Sequence, residues 1–241
     1  KTETVLRLLA PAISIAPKTL IKGGFDSGAN QFTLTGNSDK LSFSDVILKK
    51  VTIVSATTDE NLEFSLSSER LLLTDSLGLT DFNIQSITHS DSVNINLVWN
   101  SRTEREYRGD VKSFLNFTPD HKVEFKILPS LVIISDSIWK VDKDNFVVID
   151  SSHMDIRELT FENGSQLIAI NGIISDNKKD QIELTLKEFN LENINLFTKG
   201  AGLNFNGTIN GESKVNYVYH DIVLTSDFGF KSLFINNNEI D

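Results

Sequence analysis

Apolar and polar residues alternate with a period of two along most of this chain. Phe32 and Leu34 alternate with Thr33 and Thr35, Leu62, Phe64 and Leu66 with Glu63 and Ser65, and Val93, Ile95, Leu97 and Trp99 with Asn94, Asn96, Val98 and Asn100. Val123, Phe125 and Ile127 follow against Glu124 and Lys126, and the last third continues with Ile182, Leu184 and Leu186, then Leu203, Phe205 and Ile209, then Val215 and Tyr217. Successive side chains of a strand point to opposite faces, so this pattern predicts strands with one apolar and one polar face. Between Ile127 and Ile174 four short apolar runs are each broken by a polar or glycine turn. In the last of them Leu167 and Ala169 point one way and Ile168, Ile170 and Gly172 the other.

The breaks between runs carry turn chemistry. Asn163-Gly164, Asn171-Gly172, Asn206-Gly207, Asn210-Gly211 and the tract from Ser175 to Asp180 predict hairpin turns in an antiparallel meander. The four prolines all fall at run boundaries, where a strand tolerates them. Only the first residues offer an alternative: Val5, Leu8 and Leu9 behind Thr2 or Glu3 suit one or two helical turns before Pro11, or a frayed strand. No Pro- or Ser-rich linker interrupts the pattern, which predicts one continuous β domain over residues 1–241.

An internal repeat lies within it. Phe25–Gly36 aligns without gaps on Phe161–Gly172, Thr80–Ile87 matches Lys187–Ile194, and the segment from Pro11 resembles that from Pro129. The order is the same in both copies, which gives weak repeat halves over residues 11–110 and 129–241. Units stacked in this way predict an elongated sheet rather than a closed globule.

Composition narrows the function. A formal charge of −10 and a pI near 4.9, without a cluster of Lys and Arg, argue against nucleic acid and against electrostatic adhesion to anionic bilayers. Hydrophobic residues make up 39% of the chain, less than the ~45–50% of an ordinary globular domain, which suits many exposed turns and a shallow core. No cysteine is present, so there is neither a disulfide framework nor a thiolate metal site. The four histidines are too far apart to form a ligand pair, and Asp142, Asp144 and Asn145 lack the glycine and distal glutamate of a calcium loop, so they read as a polar hairpin tip. No catalytic fingerprint occurs, and the expectation is a protein that is not an enzyme and holds no metal or cofactor. Trp99 and Trp139 lie in register with inward residues and read as core filling. The only methionine is Met154 and no apolar run reaches 18 residues, so an internal piece of a larger protein is expected, with any membrane anchor elsewhere.

Several segments, in order, resemble one family. They are Asp91–Asn100 with Tyr107 and Gly109, then Pro129–Trp139, Phe161–Ser175, Glu188–Asn195 and Gly202–Gly211. Together they are similar to the translocation and assembly module proteins of the TamB kind, in their Bacteroidetes version, within the AsmA-like group. The resemblance implies an inner-membrane-anchored protein of a Gram-negative bacterium that crosses the periplasm. It also implies a curved β-taco groove with an apolar concave face, a role in phospholipid transport and outer-membrane biogenesis, and a barrel partner in the outer membrane.

The residues support such a groove on their own terms. A one-faced sheet with no long helix to cover it must curl or bind a ligand, and a curled all-β, mostly antiparallel sheet would shelter acyl chains while headgroups stay in water. The strand phases put Leu62, Phe64, Leu66, Val93, Ile95, Leu97, Val123, Phe125, Ile168, Ile170, Ile182, Leu184, Leu186, Leu203 and Phe205 on its lining. The alternative is a chaperone or scaffold for outer-membrane proteins that offers strand edges by β-augmentation.

Overall fold

The alternating segments form strands, and every ladder between them is antiparallel. The computed structural model describes residues 13–58, 60–73, 78–102, 106–219 and 221–239. The helix or frayed strand considered before Pro11 lies outside them. Among the described residues eighteen strands make the chain all-β, and no helix is long and apolar enough to cross a membrane. The chain divides into two compact units, one ending at Asp110 and the other beginning at Val111, close to the end of the first repeat half.

The first unit holds β1 (Ile13–Ile15), β2 (Leu20–Asp26), β3 (Gln31–Phe43), β4 (Val46–Thr58), β5 (Asn61–Leu72), β6 (Gly78–His89) and β7 (Ser92–Arg102). From β2 to β7 each strand pairs with the next, while β1 pairs with β3 beyond the end of β2. β1 and β2 thus share one edge of β3. Pro17 and Lys18, at φ 68°, make the break between them, and the Thr19 hydroxyl donates to the Ala16 carbonyl at 2.7 Å to close it. Leu48, Val51, Leu71 and Phe82 form the buried core, with Trp99 packed beside it.

The chain enters the second unit within β8 (Glu106–Phe117). Then come β9 (Val123–Ile127), β10 (Leu131–Ile134), β11 (Ser137–Val141), β12 (Phe146–Ile149), β13 (His153–Asn163), β14 (Gln166–Ser175), β15 (Gln181–Asn190), β16 (Phe205–Asn216), β17 (Val223–Ile235) and β18 (Asn238–Glu239). β13 to β17 form a meander, and both β11 and β12 pair with β13 at different points along it. Between β15 and β16 the chain leaves the sheet as a helical segment made of Leu191–Ile194, Asn195–Thr198 and Lys199–Ala201. Trp139, Phe189, Leu191 and Ile209 form this unit's buried core.

Three of the four Asn-Gly steps are not hairpin turns. Asn163-Gly164 does enter one, but Asn171-Gly172 lies inside β14, and Asn206-Gly207 and Asn210-Gly211 lie inside β16. Two of them answer bulges in a neighbouring strand. Glu158, at φ 51°, bulges from β13 and its N–H donates to Asn171 Oδ1 at 2.6 Å. Glu188, at φ 46°, bulges from β15 and its N–H donates to Asn210 Oδ1 at 2.7 Å. The asparagine takes the hydrogen bond that the extra residue removes from the ladder. The glycine that follows is needed for a different contact: Gly172 has φ 121°, and a Cβ there would stand 2.1 Å from the Gln181 carbonyl oxygen on β15.

Some of the aligned positions share pairing or backbone conformation. Phe25 faces Phe32 across the β2–β3 hairpin as Phe161 faces Ile168 across β13–β14, at aligned positions. Asp81 and Glu188, also aligned, both have positive φ and both precede a buried phenylalanine, Phe82 or Phe189. Lys18 and Asp136 match as well, at φ 68° and 67°.

Candidate functional site

Cross-strand partners share a face, so the ladders show which side chains lie together. In the first unit three rows run across the strands: Thr57, Leu62, Thr88, Val93; then Leu34, Ser55, Phe64, Ser86, Ile95; then Gly36, Ile53, Leu66, Ile84, Leu97. All six candidate residues of this unit therefore fall on one face, in three adjacent rows. No charged side chain stands in these rows. Ser55 is buried and its hydroxyl donates to the Glu63 carbonyl at 2.8 Å, which turns its polarity away from the apolar surface. In the next row Ser68, also buried, donates to the Lys49 carbonyl at 2.7 Å.

Burial falls along this face. Leu66 and Leu97 pack against the core of Leu48, Val51, Leu71 and Phe82. Phe64, Val93 and Ile95 are half-buried, and Leu62 is 39% exposed. The opposite face carries Thr35, Ser65, Gln85 and Asn96 in one row and Thr52, Ser67 and Asn83 in the next.

The second unit repeats the arrangement. One row joins Val123, Ile149, Met154 and Ile174; the next joins Phe125, Val147, Ile156, Gly172, Ile182, Val215 and Leu224. Leu159, Ile170, Leu184 and Ser213 follow, then Val141, Phe161, Ile168, Leu186 and Phe228. The charged pair Glu183 and Lys214, 3.0 Å apart, lies on the other face. Val123, Phe125, Ile170, Ile182 and Leu184 are half-buried on the apolar face. Ile168, Leu186 and Phe205 instead pack against the core of Trp139, Phe189, Leu191 and Ile209. Leu203 is not on the face: it sits before β16, 40% exposed, with its N–H donating to the Thr198 carbonyl at 3.1 Å.

The helical segment that covers this core has no counterpart among the sequence expectations. Its signal is a loss of alternation after Phe189, where Leu191 and Ile194 stand three apart behind Asn190, whose side chain accepts from the Glu192 N–H at 2.9 Å as an N-cap. Trp139, at 2% exposure, is core, and its indole N–H has no hydrogen-bond partner in the structure. Trp99 lies over Gly109, where an added Cβ would come within 2.1 Å of the indole ring.

The polar candidates have structural partners. Asn145 is fully buried and bridges β9 and β12, accepting from the Ile127 N–H at 2.8 Å and donating to the Ile127 carbonyl at 2.7 Å and to the Asp142 carbonyl. Asp142 accepts from the Asp144 N–H at 2.8 Å, which leaves this tip a self-bonded turn. His153 lies 2.7 Å from Asp150, and His89 bonds Asn61 at 3.0 Å. Among the described residues no group of three His, Cys, Asp or Glu side chains could hold a metal ion. No family model, no curated protein and no solved structure matches this chain.

Proposed function

We propose that this chain shelters lipid acyl chains on its apolar sheet faces, as a periplasmic segment of an inner-membrane-anchored protein that carries phospholipid toward the outer membrane and serves outer-membrane biogenesis. The observation that carries the reading is the row structure. In each unit uncharged rows with half-buried apolar side chains from several strands, interspersed with Ser and Thr, line one face, and the charged side chains of these strands stand on the other. Each methylene moved from water onto such a surface contributes about 0.8 kcal/mol, so an acyl chain is held without any basic residue, in keeping with the net charge of −10. The compartment, the anchor and the barrel partner rest on the resemblance to TamB-like proteins.

A photo-crosslinking side chain at Ile170 or Leu184, in protein purified from Gram-negative membranes, is expected to yield phospholipid adducts. The same group at Thr185, on the opposite face, is expected to yield none. Absence of adducts at every inward position overturns the proposal.

One observation favours a second reading, capture of unfolded barrel strands by β-augmentation. Within its unit β17 pairs with β16 along its length but with β18 only at Phe234 and Ile235, and it exposes Val223, Leu224 and Phe230. Proline at Thr225, whose side chain lies on the Lys214 face, is expected to abolish capture of an unfolded strand while sparing lipid adducts at Ile170.

A further inference from the structure

The β15–β16 connection differs from its counterpart in the other repeat copy. In the first unit the segment Thr80–Ile87 continues as strand β6 to His89 and turns directly into β7 at Ser92. In the second, the aligned segment Lys187–Ile194 leaves the sheet one residue after Phe189, and the chain needs the helical segment and the residues up to Asn204 before β16 begins. A connection of this length between two strands of a meander is uncommon and often functional.

Its position is held by specific contacts at several points. Gln166, at the start of β14, accepts from the Asn190 N–H at 2.8 Å and from Asn193 Nδ2 at 3.0 Å. Asn195 pairs with the backbone of Phe205 in both directions, accepting from its N–H at 2.7 Å and donating to its carbonyl at 2.8 Å. Asn193 and Asn195 are both buried. Between these anchors Leu191, 6% exposed, and Ile194 are set onto Trp139, Phe189 and Ile209. Among the described residues the rest of the same apolar face, through Ile170, Leu184, Ile182 and Phe125 to Val123, is half-buried, with Val147 buried in the Phe125 row.

We infer that the segment Leu191–Ala201 is a stopper that seals the Trp139 end of the second unit's apolar face and confines a bound acyl chain to the rows from Ile170 to Val123. The acyl chain comes from the functional reading above; the seal itself rests on the packing. Sealing divides the candidate lining in two. Ile168, Leu186 and Phe205 belong to a closed core, while Ile170, Ile182, Leu184, Phe125 and Val123 remain available to ligand.

Two tryptophan reporters test the seal and the ligand separately. In a Trp99→Phe background Trp139 reports on the closed end. Phe125→Trp, in Trp99→Phe with Trp139→Phe, reports on the open rows. Loaded from micelles with phosphatidylethanolamine carrying brominated acyl chains, the Phe125→Trp reporter is expected to be quenched and Trp139 to keep its fluorescence. Leu191→Ser with Ile194→Ser is expected to expose Trp139 to both the brominated lipid and the neutral quencher acrylamide. Asn195→Ala, which loosens the anchor and leaves the apolar contacts, is the milder variant should the double change unfold the chain by circular dichroism. If Trp139 is quenched in the parent as strongly as the Phe125→Trp reporter, the stopper is overturned. It is equally overturned if folded stopper variants leave Trp139 shielded from acrylamide. If neither reporter responds to brominated lipid while the variants do open Trp139 to acrylamide, the seal stands and the lipid reading fails.

Discussion

Asn145 does for two strand ends what a ladder partner would. Its amide satisfies both backbone groups of Ile127 and caps the Asp142 turn, all inside a fully buried site. Asn145→Ala would leave the Ile127 N–H and carbonyl without these partners, at a cost of about 3 kcal/mol. A drop of that size in the urea-unfolding free energy checks it; a variant within error of the parent shows that water takes over both bonds. Gly109 makes a steric rather than a polar demand. The Trp99 ring occupies the space of a Cβ, so Gly109→Ala forces the indole aside and is expected to destabilise by about 1–3 kcal/mol. Intrinsic fluorescence should shift in the same variant, because Trp99 must move to admit the methyl group. The sequence marks neither residue by pattern: Asn145 reads as part of a polar tip, and the need for glycine at position 109 is set by a tryptophan on the preceding strand.

At the scale of elements, turns and bulges carry information that alternation does not. The turn from β12 to β13 is built on Asp150, whose Oδ1 accepts from the Ser152 N–H at 2.7 Å and the His153 N–H at 2.9 Å. The Ser152 N–H is the main cause that holds this carboxyl down to about 2, with the His153 N–H, the Ser152 hydroxyl and the His153 ring adding to it against some desolvation. A carboxyl lowered in the folded state stabilises above its unfolded pKa of about 3.9, and that contribution disappears as pH falls toward the folded value. The urea midpoint is therefore expected to fall between pH 4 and pH 2, and Asp150→Asn to flatten that part of the profile; an unchanged slope in the variant assigns it to other carboxyls. Asp81 and Glu188 take positive φ, and the next residue swings a phenylalanine into the core, so a polar-Phe step recurs where the backbone recurs. The Asn-Gly steps misled for a related reason. The same dipeptide that suits a tight turn also suits the strand opposite a bulge, where asparagine accepts the stray N–H and glycine admits a neighbouring carbonyl.

For the molecule as a whole, alternation along the chain was enough to predict an all-β, antiparallel protein with strands of one apolar and one polar face, whereas Leu203 lies before β16 rather than in a strand. This succeeds because the face a strand residue points to is a local property, set by a period of two that each segment carries in itself. Which residues of that face are buried in a core was not legible. That depends on what returns to cover it, and in the second unit the cover is a helical segment too short to show a helical period, pinned by Gln166 and Phe205 from other strands. Sequence alone thus determined the strands, their two faces and the acidic character of the chain. Tertiary structure alone decided that Trp139, Phe189 and Ile209 are buried while Ile170, Ile182 and Leu184 are half-buried, because burial is a sum over distant neighbours that no local period contains.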